Sequence, residues 1–296
     1  MIRKVAKTLS EFNKTCLNDR FLELILLMTS LMLLLYMRHT FILSTTLLLF
    51  IPAALLFRKL LDSKVFWILL SVLMIAGFAR IWHSADNHTY LAIYWVLAIT
   101  LCTFSANRSH AISFNARILI GLCFFFATLW KFLSPEFTDG TFFYFTFLTD
   151  SRFFEFAELT AGVDAGMRSH NLLVYNVLND PMGRSVAGGF ESKPLLLTIS
   201  VFMVWWTIFI EGWIALAFLA PLSAKISNWR DIPLIIFMIT TYPIATVSGF
   251  ASLLAVMGFA QCRESNSWMR PVYLAIFIAV PLFNLPYLSV LLDLLY

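Results

Sequence analysis

A single lysine near the end of a long apolar run is the clearest candidate for a reactive residue in this sequence. Lys131 is the only charged residue between Ile118 and Leu133. A lysine held away from water favours its neutral amine, which can accept a proton as a general base. Alternatively, the long side chain can carry its ammonium to the level of membrane headgroups, as lysines near helix ends commonly do. The sequence leaves both interpretations open.

The apolar run predicts a helix with small and polar side chains along one stripe. At helical spacing, Arg117, Gly121, Phe124, Thr128 and Lys131 share a face, while most of the other phenylalanines point elsewhere. The segment is long enough to cross most of a bilayer at about 1.5 Å per residue. We expect the stripe to face the protein interior and the phenylalanines to face lipid.

Other polar residues are candidates for the same site. His88 follows Asp86 and Asn87 in a short polar segment, Asp139 follows the lysine-bearing run, and Glu211 is a single carboxylate in another apolar run. An acid within a membrane span usually faces the interior and has a partner. We favour a structural hydrogen-bonding role for Glu211 over a catalytic one. His88 could instead lie at the surface or, with its two neighbours, cap a helix start.

The spacing of cysteines and histidines does not predict a metal site. The cysteines form no CxxC motif, and the histidines have no spacing typical of metal ligands. These residues are Cys16, Cys102, Cys123, Cys262, His39, His83, His88, His110 and His170.

The composition predicts an all-α integral membrane protein. Of 296 residues, 60% are hydrophobic and 13% are charged, which excludes an ordinary soluble domain. Long apolar runs favour helices over the short alternating strands of a membrane barrel. The net charge of +4 lies largely in loops and tails, so it gives no case for binding nucleic acid.

We predict about eight transmembrane helices, with one long outer loop between the fifth and the sixth. The spans are residues 21–37, 41–57, 65–82, 91–104, 118–133, 195–220, 232–260 and 272–292. The chain then divides into a cytoplasmic amphipathic segment (1–20), spans one to five (21–133), an outer cap loop (134–194) and spans six to eight (195–296). Within the cap we expect one or two short helices, and FFEFAEL is the best candidate.

The distribution of Lys and Arg favours a cytoplasmic amino terminus, and we expect a multi-pass protein of the bacterial inner (plasma) membrane. This topology places His88 and the Lys131 end of the fifth span on the outer side. Small residues from Ala245 to Ser252 predict close helix packing in the seventh span, with a kink at Pro243.

Two segments resemble the vitamin K-dependent gamma-carboxylase. They are DNHTYLAIYWVL (residues 86–97) and FFFATLWKFLSPEFTDG (residues 124–140). The segment EGWIALAFLAP (residues 211–221) and the seventh span resemble the wider HTTM superfamily, the horizontally transferred transmembrane domain. The likeness covers roughly residues 20–262, without the large extramembrane substrate domain of the carboxylase.

The resemblance implies that Lys131 deprotonates a vitamin K-like quinol and that His88 is a hydrogen-bonding group in the same pocket. In the carboxylase, reaction with oxygen then yields a strong base that removes a glutamyl proton, and carbon dioxide adds. We predict that Asp86, Asn87, Glu211 and Asp139 complete a polar pocket.

Two functions from different classes are therefore open. The first is a carboxylase-like lyase or oxidoreductase that acts on a quinol or small peptide at the outer leaflet, with Lys131 as its base. The alternative is a non-enzymatic membrane subunit whose outer loop recruits a membrane or extracytoplasmic protein, with Lys131 reaching the headgroups. A transporter is a weaker third possibility, because no inverted internal repeat is visible.

Overall fold

The computed structural model describes residues 17, 19–37, 40–83, 86–180, 188–242, 244–245, 247–262 and 264–281. Within these ranges every regular element is a helix and no strand occurs, so the all-α prediction is confirmed for them. The α-helices are α1 (Phe21–Tyr36), α2 (Phe41–Leu56), α3 (Lys64–Phe78), α4 (Asn87–Cys102), α5 (Arg108–Leu133), α6 (Pro135–Thr138), α7 (Thr141–Thr149), α8 (Phe154–Ala161), α9 (Ala165–Leu178), α10 (Pro194–Leu219), α11 (Lys225–Asn228), α12 (Asp231–Thr241), α13 (Ser248–Gln261) and α14 (Arg270–Ala279). The predicted amphipathic segment before residue 17 and the end of the eighth span lie outside the described residues.

Two helices, α5 and α10, are long and apolar enough to cross a membrane. Each has 26 residues. At about 1.5 Å per residue such a helix exceeds the ~30 Å hydrocarbon core. The other apolar helices have 10–17 residues. The structure therefore supports membrane association through α5 and α10. The helix lengths do not establish that the chain has eight spans.

The predicted seventh span is two helices, not one. Helix α12 ends at Thr241 and α13 begins at Ser248. Between them the chain turns, with the amide of Ala245 donating to Thr241 O at 2.8 Å. The sequence supplies a reason, because the proline at position 243 has no amide hydrogen and disfavours a helical residue before it. The proline itself lies outside the described residues.

The chain forms two compact units, and the first comprises residues 1–121 and 248–296. In this unit α13 packs against α1 and α14, and α3 packs against both α2 and α4. Two glycines of α13 allow this helix to approach α1 and α14 closely. A Cβ added at Gly249 would lie 3.2 Å from Tyr36 Cβ, and one added at Gly258 would overlap the Tyr273 ring. The expected close packing at small residues is thus present at Gly249.

Buried polar side chains of the first unit pair with one another across helices. Trp95 Nε1 donates to Thr29 Oγ1 at 3.0 Å, and the hydroxyls of Ser71 and Thr100 are 2.7 Å apart. Paired polar groups avoid the cost of burial without a partner. These contacts fix α4, the helix that carries His88, against α1 and α3.

The second unit comprises residues 122–247. Helix α7 packs against α6, α8, α9 and α10, so most of the predicted outer loop is helical and lies on a long apolar helix. FFEFAEL falls largely within α8, which confirms a helix there, although the region holds more helices than the one or two expected. The core of this unit consists of Phe137, Phe143, Phe147, Leu148, Ala157, Ala161, Val163, Leu196, Met203, Val204 and Ile208.

Candidate functional site: a buried lysine and carboxylate

Lys131 and Glu211 form an ion pair within the second unit. Lys131 Nζ donates a hydrogen bond to Glu211 Oε2, and the side chains are only 17% and 9% exposed. The lysine belongs to the last turn of α5 and the glutamate to the second half of α10. Helix α5 ends at Leu133, shortly before Pro135, because a proline disfavours helical backbone in the residue before it. Glu211 thus has the partner that a buried carboxylate requires.

The stripe predicted on α5 is the buried side of that helix over most of its length. Arg117, Gly121 and Phe124 are buried, whereas Phe125 and Phe126 are exposed. Burial follows the helical period, since positions three or four apart share a face. The sequence pattern therefore predicts correctly which way α5 faces.

An aromatic ring lies close to the ammonium. Lys131 Nζ lies 5.3 Å from the centre of the Phe137 ring, a cation–π distance. Phe137 is buried and contacts the rings of Phe142 and Phe143 at 5.4 and 5.3 Å. The ammonium therefore faces one carboxylate and one aromatic ring in largely apolar surroundings.

Helices α5 and α10 also meet at small groups near the pair. A Cβ added at Gly212 would lie 3.7 Å from Thr128 Cγ2, an ordinary van der Waals contact. The Thr128 hydroxyl donates to Phe124 O of its own helix at 2.8 Å. Its hydrogen bond is therefore made within α5, and the methyl group faces α10.

Cys123 and Tyr242 extend this polar cluster. Cys123, on α5, lies near Glu211 and Lys131, and Tyr242 lies near Cys123. Tyr242 is 8% exposed, and its ring lies 6.2 Å from that of Phe237. Its hydroxyl has no hydrogen-bond partner among the described residues.

The sequence analysis did not identify Cys123 or Tyr242 as site residues. The steps from Cys123 to Ala127 and on to Lys131 are each four residues long, a spacing that keeps side chains on adjoining parts of a helix surface. That spacing could have indicated the cysteine. Tyr242 follows an apolar helix, and nothing in its neighbourhood in the sequence distinguishes it from an interfacial tyrosine.

Asp139 lies at the turn between α6 and α7 and is exposed. Its Oδ1 accepts a hydrogen bond from the Thr141 amide at 2.8 Å, and hydrogen bonding to Thr141 lowers the pKa of this carboxyl. Gly140, between them, has φ +91, a conformation that favours glycine. Asp139 therefore shapes the start of α7.

His88 and Asp86 lie in the first unit, at the start of α4. Asp86 is the N-cap residue, but its side chain makes no capping hydrogen bond. Its Oδ2 lies 3.8 Å from His88 Nε2, an ion pair only when the histidine is protonated, and the His88 ring lies 6.4 Å from that of Phe250. Asn87, the first residue of α4, is exposed. The structure brings Lys131 together with Glu211, while the role of His88 beside them stays a prediction.

The structure also bears on metal binding. Among the residues described, no three His, Cys, Asp or Glu side chains are grouped so that they could hold a metal ion.

No protein-family profile, curated protein or solved structure matches this chain. The resemblance to the carboxylase family accordingly stays a prediction from the segments around Asn87 and Lys131.

Proposed function

We propose that this chain is a multi-pass membrane enzyme in which Lys131, paired with Glu211, accepts a proton from a quinol bound in the outer half of the membrane. The observation that carries the proposal is the burial of a lysine against a single carboxylate, on two helices long enough to span a bilayer. Ionisable groups in such helices are costly, and they commonly serve binding or proton transfer. The resemblance of the Lys131 segment to the carboxylase supports the same chemistry.

Lys131 Nζ is hydrogen-bonded to the Glu211 carboxylate and lies over the Phe137 ring. As a base, Lys131 starts from the neutral amine and takes the quinol proton at Nζ, and the carboxylate stabilises the ammonium that results. The ion pair of the structure corresponds to this protonated state. In this scheme Glu211 stays ionised and acts through Lys131, so it is a positioning residue.

The side chains around Lys131 suit a quinol. A flat aromatic molecule packs well against phenylalanine faces such as those of Phe137, Phe142 and Phe143, and the amine accepts from a hydroxyl. When bound, a quinol supplies an ionisable hydroxyl and two electrons for an oxidant. Lys131 provides the proton acceptor at that hydroxyl.

The test is quinol-dependent oxygen uptake by the purified protein in nanodiscs, with menadiol as the probe. Lys131→Arg keeps a cation beside Glu211 but removes a side chain that can give up its proton. We expect it to remain folded and to lose about 100-fold or more of the turnover. Lys225→Ala, at an exposed position on α11, is the matched control and should keep full activity. Full turnover in Lys131→Arg excludes the lysine as the base.

The proposal includes the membrane topology, with eight spans and a cytoplasmic amino terminus. Residues 134–194 then face the outside and α11 faces the cytoplasm. In a background without native cysteines, a membrane-impermeant maleimide should label Asn179→Cys in intact cells and Lys225→Cys only after lysis. The reverse pattern contradicts the orientation.

A second candidate function, recruitment of a partner protein by the predicted outer loop, has one observation in its favour. Three leucines on α8 and α9 are strongly exposed, most of all Leu159 at 86%, with Leu173 and Leu178. Exposed apolar residues on a segment outside the membrane suit a protein contact. Photo-crosslinking from Leu159 to one defined protein, with undiminished biological function in Lys131→Ala, favours this alternative over the enzyme.

A further inference from the structure

Tyr242 carries a buried hydroxyl whose hydrogen bond is not made within the described part of the chain. The residue is 8% exposed, and its Oη has no partner there. Buried hydroxyls in folded proteins nearly always make a hydrogen bond, because burial of a polar group without a hydrogen-bond partner costs free energy. A group other than the described residues therefore has a reason to bond this hydroxyl.

The surroundings of Tyr242 restrict what that group can be. Its ring contacts Phe237, which in turn contacts Phe124 of α5 at 4.9 Å between ring centres. Cys123, next to Phe124 on α5, lies near Tyr242 and also near Lys131 and Glu211. A thiol is a weak hydrogen-bonding group and does not satisfy a phenol. The orphan hydroxyl thus belongs to the polar cluster of the second unit and has aromatic neighbours.

We propose that the Tyr242 hydroxyl donates a hydrogen bond to an oxygen of the aromatic quinone or quinol on which Lys131 acts. This inference rests on the proposed function and adds a second polar contact to it. A phenol can donate to a quinone carbonyl and can also accept from a quinol hydroxyl, so Tyr242 recognises both redox forms. The phenylalanine rings supply apolar contact area for the ring of the ligand.

The test compares two ligands and three forms of the protein in nanodiscs. Menadione has two carbonyl oxygens, and 2-methylnaphthalene has a similar carbon skeleton without them. We expect Tyr242→Phe to bind menadione roughly 2- to 12-fold more weakly than the wild type, the range of one hydrogen bond. Both proteins should bind 2-methylnaphthalene with equal affinity.

Tyr144→Phe is the matched control, because it removes the same hydroxyl from a tyrosine that has a partner. Tyr144 Oη donates to Ser192 Oγ at 2.5 Å. We expect unchanged menadione affinity in this variant. We also expect Tyr242→Phe without ligand to unfold at the same temperature as the wild type or higher, since it loses no internal hydrogen bond.

The possible results separate this inference from the proposed function. Equal menadione affinity in Tyr242→Phe and wild type overturns the role of Tyr242 and leaves Lys131 as a base. A lower melting temperature of unliganded Tyr242→Phe also overturns it, because the hydroxyl then serves the fold. Weaker menadione binding in Tyr242→Phe, with full turnover in Lys131→Arg, supports the contact and rejects the base. Absence of menadione binding to the wild type rejects both.

Discussion

Glu211 lies 80 positions after Lys131 in the sequence, yet its Oε2 accepts a hydrogen bond from the lysine Nζ. The contact joins the two helices within the described residues that are long and apolar enough to span a membrane. A charge removed from water depends on its partner more strongly than an exposed charge does. The pair is therefore the place where substitution should separate electrostatic from packing effects.

Removal of one member of this pair should be worse than removal of both. We expect Lys131→Met alone, or Glu211→Met alone, to lower the free energy of unfolding by about 3 kcal/mol, because each leaves a charge buried without its partner. The double substitution should recover most of that loss, since two apolar side chains then meet. Denaturant titration in mixed micelles measures all three, and simple additivity of the single effects contradicts the prediction.

A substitution at Gly140 should combine backbone strain with a close contact. Gly140 has φ +91, and a Cβ there would lie 3.2 Å from Val201 Cγ2. Gly162 also has a positive φ, of +67, but a Cβ added at this glycine would meet no atom within 4 Å. We expect Gly140→Ala to cost about 2 kcal/mol and Gly162→Ala about 1 kcal/mol. Equal losses in thermal unfolding indicate that Val201 moves aside freely.

Asp150 should make stability depend on acid pH. Burial raises the pKa of this carboxyl, but hydrogen bonds and charge from Arg152 outweigh it, so the pKa lies below its usual range. Arg152 Nη2 lies 2.5 Å from Asp150 Oδ2. A depressed pKa gives stability that is present above the unfolded value of about 3.9 and is lost as the pH falls through the lower folded value.

Asp150→Asn should accordingly be less stable than the wild type at pH 7, and the difference should shrink below about pH 4. Glu155→Gln, an exposed change of the same charge on α8, should stay within about 0.5 kcal/mol of the wild type. Thermal unfolding across this pH range checks both variants. A difference for Asp150→Asn that is constant with pH rules out the ionised pair as its cause.

Gly258 should be the less replaceable of two glycines on α13. A Cβ there would overlap the ring of Tyr273, which is fully buried, whereas one at Gly249 would be only tight against Tyr36. Gly258→Ala should cost about 2 kcal/mol, beyond what the better helix propensity of alanine returns. Gly249→Ala should cost clearly less. Chemical denaturation gives both values, and a reversed order contradicts the packing described for α13 and α14.

Much of the fold follows from hydrophobic periodicity. The boundaries of α1, α2 and α10 agree with the predicted spans to within about one residue, because long apolar runs bounded by polar or proline residues leave few alternatives. The predicted seventh span, with its kink at Pro243, consists of two separate helices, α12 and α13, because a local break can end a helix within an apolar run. The helices of residues 134–194 are underestimated from the sequence because many of their residues are polar.

The site is predictable only in part. The sequence predicts that Lys131 faces inward, because it lies on a helical stripe. It also predicts that Glu211 has a partner. It does not show that this partner is Lys131, because the two residues lie on helices far apart in the sequence. Tyr242 cannot be found in this way, because an orphan hydroxyl is a property of three-dimensional surroundings. The charge of Arg230 is typical of a loop, yet this residue is almost fully buried and donates to Ser227 O at 3.2 Å. Charge alone does not reveal such burial.

The order in which the chain is synthesised gives the contact between α5 and α10 a further consequence. The ribosome adds Lys131 long before Glu211, so every nascent chain passes through a stage at which α5 exists and α10 does not. Thr128 needs no such delay, because its hydroxyl bonds to its own helix. During synthesis the Lys131 ammonium therefore has no Glu211 carboxylate to pair with until α10 has been made. A truncated product that ends before Glu211 would keep Lys131 without this partner.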